Sequence, residues 1–484
     1  MTDLSYSLFV NEQEAATFEA TFINRDKIPA NETFWACMRE SHDTYRLAES
    51  LFDKYGNLIK KFYEREGAKG CGVWGPELDF ANILLMKDLR VHHDWRRHGL
   101  GANLVEHALR QAGHSVYRSR CFSFVRPGSL EGGAESFGEE VTIAERFWRS
   151  MGYRRVGTSE WLAYSDYPDH PSRFIAPADD FKRVQPVSQQ SVPGIAKEAF
   201  RLLANEEVSD SKALAYLKGS FPHSPAHAAW TSTDPGGDAL LHIAARTFKP
   251  ESAKYILAKA PNLARRRNNQ GSTPREALED AMESVREPFH KTAFKVEGRR
   301  FAGFGHKVVA CVGVLTGREV MKLPDTIPVS FLSSLDWVAN RNNIVHRTLR
   351  VKYGCTCGKC VAGFLSPRLQ EKLIAGSQEV EESNTNGVGF SDLCGCIRDC
   401  IRGMKVPTEA NILASHGIVC GGDQMAADGL EEFLVDGKIS DVLAEIFNWV
   451  RSDPTGQYVG QRPPCRNDLE FEFVQGICVR DLAR

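Results

Sequence analysis

The sequence predicts an α/β fold for its first third, a mixed sheet flanked by helices, with mostly helical material after it. Three observations carry that expectation. Ile83–Ala112 reads as strand, glycine-containing turn and amphipathic helix. Gly237 and Gly271 open two similar turn-and-helix signatures 34 residues apart. The last third groups its cysteines between segments of helical apolar periodicity.

Before the strand, Leu47, Leu51, Tyr55, Leu58 and Phe62 form one apolar stripe at helical spacing, with Phe52, Ile59 and Tyr63 beside it. The strand follows as Ile83, Leu84, Leu85 and Met86, then Leu89 and Val91. Leu104, Val105, Ala108, Leu109 and Ala112 mark the next helix. Between them lies Arg96-Arg97-His98-Gly99-Leu100-Gly101-Ala102-Asn103. Backbone N–H groups at a helix start have no intrahelical partner and point, with the positive end of the dipole, at whatever precedes them. A phosphate or pyrophosphate suits that place. Gly99 and Gly101 let it approach the backbone, and Arg96 and Arg97 add bidentate donors. Val91 and residues 96–103 are therefore the candidate cofactor-binding segment. G-x-G alone falls short of the dinucleotide fingerprint, and Ala102-Asn103 stands where a triphosphate loop needs Lys-Ser/Thr.

Arg96, Gly99 and Gly101 resemble motif A of the GNAT acetyltransferases, R/Q-x-x-G-x-G/A. Ala144-Glu145-Arg146-Phe147-Trp148-Arg149-Ser150-Met151-Gly152-Tyr153 is similar to the family's A-x-x-F-Y-x-x-x-G-F element. Cys121–Val125 reads as the strand between the motifs, Gly152 as a helix C-cap, and Arg154–Tyr164 as the final strand material. The resemblance covers residues 1–175. It implies a GNAT-like sheet, acetyl-coenzyme A held by its pyrophosphate on the turn amides, and acyl transfer to an amine acceptor. It also implies that the region before the strand lines the acceptor groove, the alternative being that it only packs on the sheet; Glu131–Gly138 itself reads as a mobile loop that can lie over the acceptor site.

The reaction needs a held thioester, a deprotonated amine and a proton for the departing thiolate. In the family a tyrosine gives that proton; here Trp148 holds its place. Tyr153 or Tyr164 can stand in, or both are core aromatics with a bonded hydroxyl. Leu85 stands where the family often has a glutamate base. Asp88 is the candidate base nearby, on the other face of the strand by period-two alternation. His92 and His93 read as solvent-facing turn residues, and water can serve for an amine of lowered pKa. Two functions compete: an acetyl-CoA-dependent N-acyltransferase, favoured by Arg96, Gly99 and Gly101, and a non-catalytic scaffold with a degenerate CoA-binding fold, favoured by Trp148 and Leu85.

A length of 484 residues predicts two to four domains. No stretch approaches the ~20 apolar residues of a membrane span. Met1-Thr2-Asp3-Leu4 lacks the basic start and apolar run of a signal peptide. A net charge of −2 gives no general attraction to nucleic acid or acidic membrane. Thirteen cysteines, an odd number, read as reduced thiols or metal ligands in a cytoplasmic protein.

Pro168–Pro193, rich in Pro, Ser, Gln and Asp, predicts a linker over 176–194. Gly237-Asp238-Ala239-Leu240-Leu241-His242-Ile243-Ala244-Ala245 resembles the start of an ankyrin repeat, with Ser252–Leu257 as second helix and Gly271-Ser272-Thr273-Pro274 opening another unit. The ankyrin-like region spans 195–290, with helices around Ala196–Leu203 and Ala213–Leu217 covering one end and Thr273–Val285 the other. That resemblance implies a structural His242 tying turns together, and either a protein partner or a spacer role.

Residues 291–484 form a Cys-rich, mostly α-helical region. Cys355, Cys357 and Cys360, with Cys394, Cys396 and Cys400, offer thiolates for a zinc ion; the other reading is buried reduced cysteines. Ser366-Pro367 predicts a helix N-terminus, and Asp441–Val450 an amphipathic helix. The order of these parts resembles multidomain proteins of filamentous fungi, and that likeness implies an architecture and no activity.

Overall fold

The computed structural model describes residues 1–28, 34–53, 55–114, 121–128, 137–182, 193–222, 224, 227–286, 301–324, 326–337, 343–383, 388–419, 438–451, 465–469 and 471–479. The loop expected over Glu131–Gly138 lies mostly outside them. Two compact units emerge. One comprises Met1–Ser191, Pro235–Asp238 and Arg267–Ser272; the other comprises Val192–Asp234, Ala239–Arg266 and Thr273–Arg484.

The first unit is built on a six-stranded mixed sheet in the order β1-β2-β3-β4-β6-β5. Its strands are β1 (Thr2–Val10), β2 (Gln13–Ile23), β3 (Asn82–Val91), β4 (Cys121–Val125), β5 (Arg154–Arg155) and β6 (Leu162–Ser165). Only β3 and β4 run parallel. A parallel pair needs a long crossover, and the helix Leu100–His114 supplies it. Alternation along the strands divides the core in two. Ile83, Leu85, Phe122 and Phe124 pack with Leu47, Leu51, Phe52 and Trp74 on one face. Leu84, Met86, Cys121 and Val125 pack with Val105, Ala108 and Trp148 on the other.

Two expectations are corrected here. The apolar stripe from Leu47 to Phe62 is not one helix. The helix His42–Leu51 stops where Phe52 turns extended, and the Asp53 carboxylate accepts from the Tyr55 and Asn57 N–H groups in a turn. Leu47, Leu51, Leu58 and Phe62 still share one core, while Tyr55 is exposed. Part of the segment expected as a linker over 176–194 packs within the first unit. Asp180 is buried and accepts from Arg149 Nε at 2.7 Å and from the Arg155 N–H at 3.1 Å, so the chain belongs to the first unit's packing through this residue.

The second unit is helical. Helices Gly194–Ala204, Asp210–Gly219, Leu240–Arg246 and Pro250–Lys259 share one core around Trp230, Leu241 and Ile256. The Asp210 carboxylate accepts from the Glu251 and Ser252 N–H groups, capping Pro250–Lys259 across helices. His242 is fully buried, and its Nδ1 accepts from the Ala239 N–H at 3.1 Å. Thr273 and Glu276 cap Pro274–Arg286 reciprocally. The turns at Gly237 and Gly271, which group with the first unit, both have φ near +75°, and Asn268 Nδ2 donates to Asp238 Oδ1 between them at 2.7 Å. Because this core draws on Ala196–Leu217, a fragment of residues 230–290 is expected to show no cooperative thermal transition by circular dichroism. A sharp transition would refute that.

The helices Ile344–Lys352, Pro367–Ser383, Val388–Arg402, Lys438–Arg451 and Phe471–Val479 share a core around Leu369, Leu393, Ile446 and Val474. Ser366 Oγ caps the Pro367 helix at the Leu369 N–H, as the sequence predicts. Among the described residues no helix is long and apolar enough to cross a membrane.

Candidate functional sites

The first site starts from a bulge. Glu19 pairs with Asp88 and Ala20 with Met86, so Lys87 is an extra residue in β3. The extra residue shifts every later side chain by one face. Leu89 and Val91 therefore join Leu84 and Met86 on the side of Leu100–His114. Asp88 moves to the face of Ile83 and Leu85, because its partner Glu19 shares a face with Thr21, the partner of Leu85. This corrects the face expected for Asp88 from simple alternation. Its carboxylate meets Arg90 Nε at 2.8 Å.

The pairing of β3 with β4 ends at Met86 and Val125. From Lys87 to Val91, β3 has β2 on one side and, among the described residues, no strand on the other. At the end of this open edge the chain makes a 3-10 turn over His93–Trp95 and enters the helix through Arg97 at φ +67° and Gly99 at φ +80°. The helix's first bond runs from the Asn103 N–H to Gly99 O at 3.0 Å. The N–H groups of Leu100, Gly101 and Ala102 precede it and have no place in the helical ladder. A Cβ on Gly99 would meet nothing within 4 Å among the described residues. Gly101 is different: it is buried, and a Cβ there would touch Leu89, Val91 and Phe147 at 3.5–3.6 Å. Arg96, Arg97 and His98 are exposed, and Arg96 Nε donates to Val91 O at 3.1 Å. His92, His93 and Asp94 form an exposed cluster beside this turn, with His93 Nε2 2.8 Å from Asp94.

Tyr153 and Trp148 lie in the core behind the turn. Tyr153 is fully buried, its hydroxyl is 2.7 Å from Ser123 Oγ, and burial drives its ionisation far above the usual phenol range. This is a core aromatic with a bonded hydroxyl, not a proton donor open to a ligand. Trp148 is buried edge-on against Tyr153 at 5.1 Å. Tyr164 is half-buried under the Arg173 guanidinium.

The second site follows the helix Ile344–Lys352. Gly354 and Gly358 take positive φ, and the loop is pinned by the Cys355 N–H to Arg350 O at 2.8 Å and by Arg350 Nε to Cys360 O at 3.2 Å. The sulfurs of Cys355, Cys357 and Cys360 all lie within 4.8 Å of one another. Cys357 is exposed; the other two are buried. Cys465, which the sequence reading passed over, comes within 4.0 Å of Cys360. Thiols this close share protons. Hydrogen bonding to Cys355 holds the Cys357 thiol down and pushes the Cys360 thiol up, and Cys360 holds Cys465 at about 7.

Cys394, Cys396 and Cys400 do not join this group. They sit inside the helix Val388–Arg402 and are buried in its core, with Cys400 Sγ donating to Val406 O at 3.4 Å. Burial pushes the Cys394 and Cys400 thiols up to about 12. All three are buried thiols of this helix.

Compared with known proteins, the chain matches no protein-family model, no curated protein and no solved structure.

Proposed function

We propose that the first unit is a GNAT-like domain that binds acetyl-coenzyme A and transfers its acetyl group to an amine, with the ankyrin-like helices as an interaction region or spacer. The observation that carries this reading is the open edge of β3 running into the amide turn at 96–103. Coenzyme A is an extended chain with two amides, ending in a pyrophosphate at one end and a thioester at the other. Its amides can pair with the edge of Lys87–Val91 that no described strand occupies, as a strand would. Its pyrophosphate then meets the N–H groups of Leu100, Gly101 and Ala102, with Arg96 and Arg97 beside it. The thioester then falls beyond Met86 and Val125, where the pairing of β3 with β4 ends. The amine acceptor, a small molecule or a protein, enters on the Leu85 face, where Asp88 now lies.

Trp148 and the buried Tyr153 favour the second reading, a domain that binds coenzyme A without turning over. Thiol release from acetyl-coenzyme A, measured with the full chain against a mixed amine panel, separates the two. In the enzyme, Trp148→Tyr restores a hydroxyl on the same helix face. Activity is then expected to hold or to rise by up to ~10²-fold. Loss of turnover in that variant, with the fold intact, sinks the assignment of a proton-donor role to this position. The absence of turnover in both proteins leaves the scaffold reading standing.

A further inference from the structure

We propose that Cys355, Cys357, Cys360 and Cys465 form a closed, structural zinc site, with Cys465 as the fourth ligand in place of the helical cysteines. This does not rest on the acyl-transfer reading. In a tetrahedral site with zinc–sulfur bonds of ~2.3 Å, neighbouring sulfurs stand ~3.8 Å apart. Cys355 and Cys357 are 3.7 Å apart and Cys360 and Cys465 4.0 Å, while Cys465 lies outside the set whose sulfurs are all within 4.8 Å of one another, so closing the tetrahedron requires it to move in. Both separations are far beyond a disulfide's ~2.05 Å. Two glycines at positive φ, Gly354 and Gly358, let the Cys355–Cys360 loop wrap three sulfurs around one point.

The surroundings suit a tetrathiolate centre, which carries net negative charge once zinc is bound. Asn467 is fully buried, and its Nδ2 donates to Cys360 Sγ at 3.7 Å and to Gly363 O. Its Oδ1 accepts from Arg286 Nη2 at 2.6 Å. Arg286 is itself buried, and a Cβ on Gly354 would lie 2.4 Å from its Nη1. An oriented amide thus faces the Cys360 sulfur with a buried cation holding it from behind, the second layer that metal ligands commonly have. Asp468 fixes the other strand of the clip: it accepts from the Cys465 N–H at 2.6 Å and from the Ser366 hydroxyl. Four protein sulfurs leave no open position for substrate, so the role is to tie Cys465 to a loop 105 residues away in sequence.

The test uses the full chain expressed in zinc-supplemented medium and purified under reducing conditions. Metal content per chain and the zinc X-ray absorption edge are measured on the wild type, so no variant has to fold. One zinc per chain with four sulfurs at ~2.3 Å is expected. Cys465→Ser should release zinc to a chromophoric chelator at least ~10-fold more readily, and Asn467→Ala should weaken retention while keeping four sulfurs. Cys400→Ala should retain zinc as the wild type does. A metal-free chain, a shell with fewer than four sulfurs, unchanged retention in Cys465→Ser, or a Cys360–Cys465 disulfide overturns the proposal.

Discussion

Asp180→Ala is expected to destabilise the first unit by about 3–5 kcal/mol, the cost of removing one member of a buried ion pair. The carboxylate is 2% exposed. It receives Arg149 Nε at 2.7 Å and the Arg155 N–H at 3.1 Å. Arg149 and Arg155 are buried as well, and both also lean on Glu145, which is left as the sole carboxylate of this network when Asp180 is removed. The asymmetry of the loss matters: alanine takes away the acceptor and leaves two guanidinium groups in the core. Asp180→Asn keeps an acceptor oxygen for the Arg155 N–H and should cost less than alanine. Urea unfolding monitored by tryptophan fluorescence gives the difference. A loss below about 1 kcal/mol for alanine would mean that Glu145 alone neutralises the pair.

Asp180 also marks where sequence reading stops. Its neighbourhood, Ala176-Pro177 and onward, has a linker's composition, and nothing local tells a buried carboxylate from a solvated one. The partner on the helix Phe137–Ser150 decides it. The β3 bulge is illegible for a similar reason. Apolar residues at Leu84, Met86, Leu89 and Val91 break alternation by one step, a pattern that only the register against β2 resolves into an extra residue. Local chemistry fared better. Strand, turn and helix over residues 83–112 were legible because periodicity and glycine placement are short-range signals, and the Ser366-Pro367 cap was legible likewise. The turn after Phe52 had a readable signal too, since an Asp-x-x-Gly-Asn run favours a turn, but the helical stripe outweighed it. In the cysteine site three sulfurs were legible from their spacing. Cys465 was not, because closure over 105 residues leaves no trace in local pattern. The Cys394–Cys400 group lies apart from that site, and close spacing in sequence could not tell the two groups from each other.

Gly99→Asp is expected to weaken acetyl-coenzyme A binding by about 2–3 kcal/mol, or ~30–150-fold, if the pyrophosphate lies on the turn amides. The substitution isolates the ligand from the fold unusually well. A Cβ at Gly99 has nothing within 4 Å, so no side chain is displaced. Its φ of +80° carries a strain of ~1–2 kcal/mol for a non-glycine residue, and Asp and Asn tolerate that region better than most. Gly99→Asn carries the same strain and nearly the same shape without the charge. If electrostatics at the helix start hold the ligand, asparagine should lose much less affinity than aspartate, and the gap between them should narrow at high salt because the site is exposed. Gly101→Ala supplies the opposite control. Its Cβ would sit against Leu89, Val91 and Phe147 at ordinary contact distance, so the fold should persist while the amide face stays in place. Calorimetric titration of the four proteins with acetyl-coenzyme A reads all of this at once. Equal affinity of Gly99→Asp and wild type, both folded, would put the pyrophosphate somewhere other than this turn and remove the basis for a GNAT-like reading of the first unit.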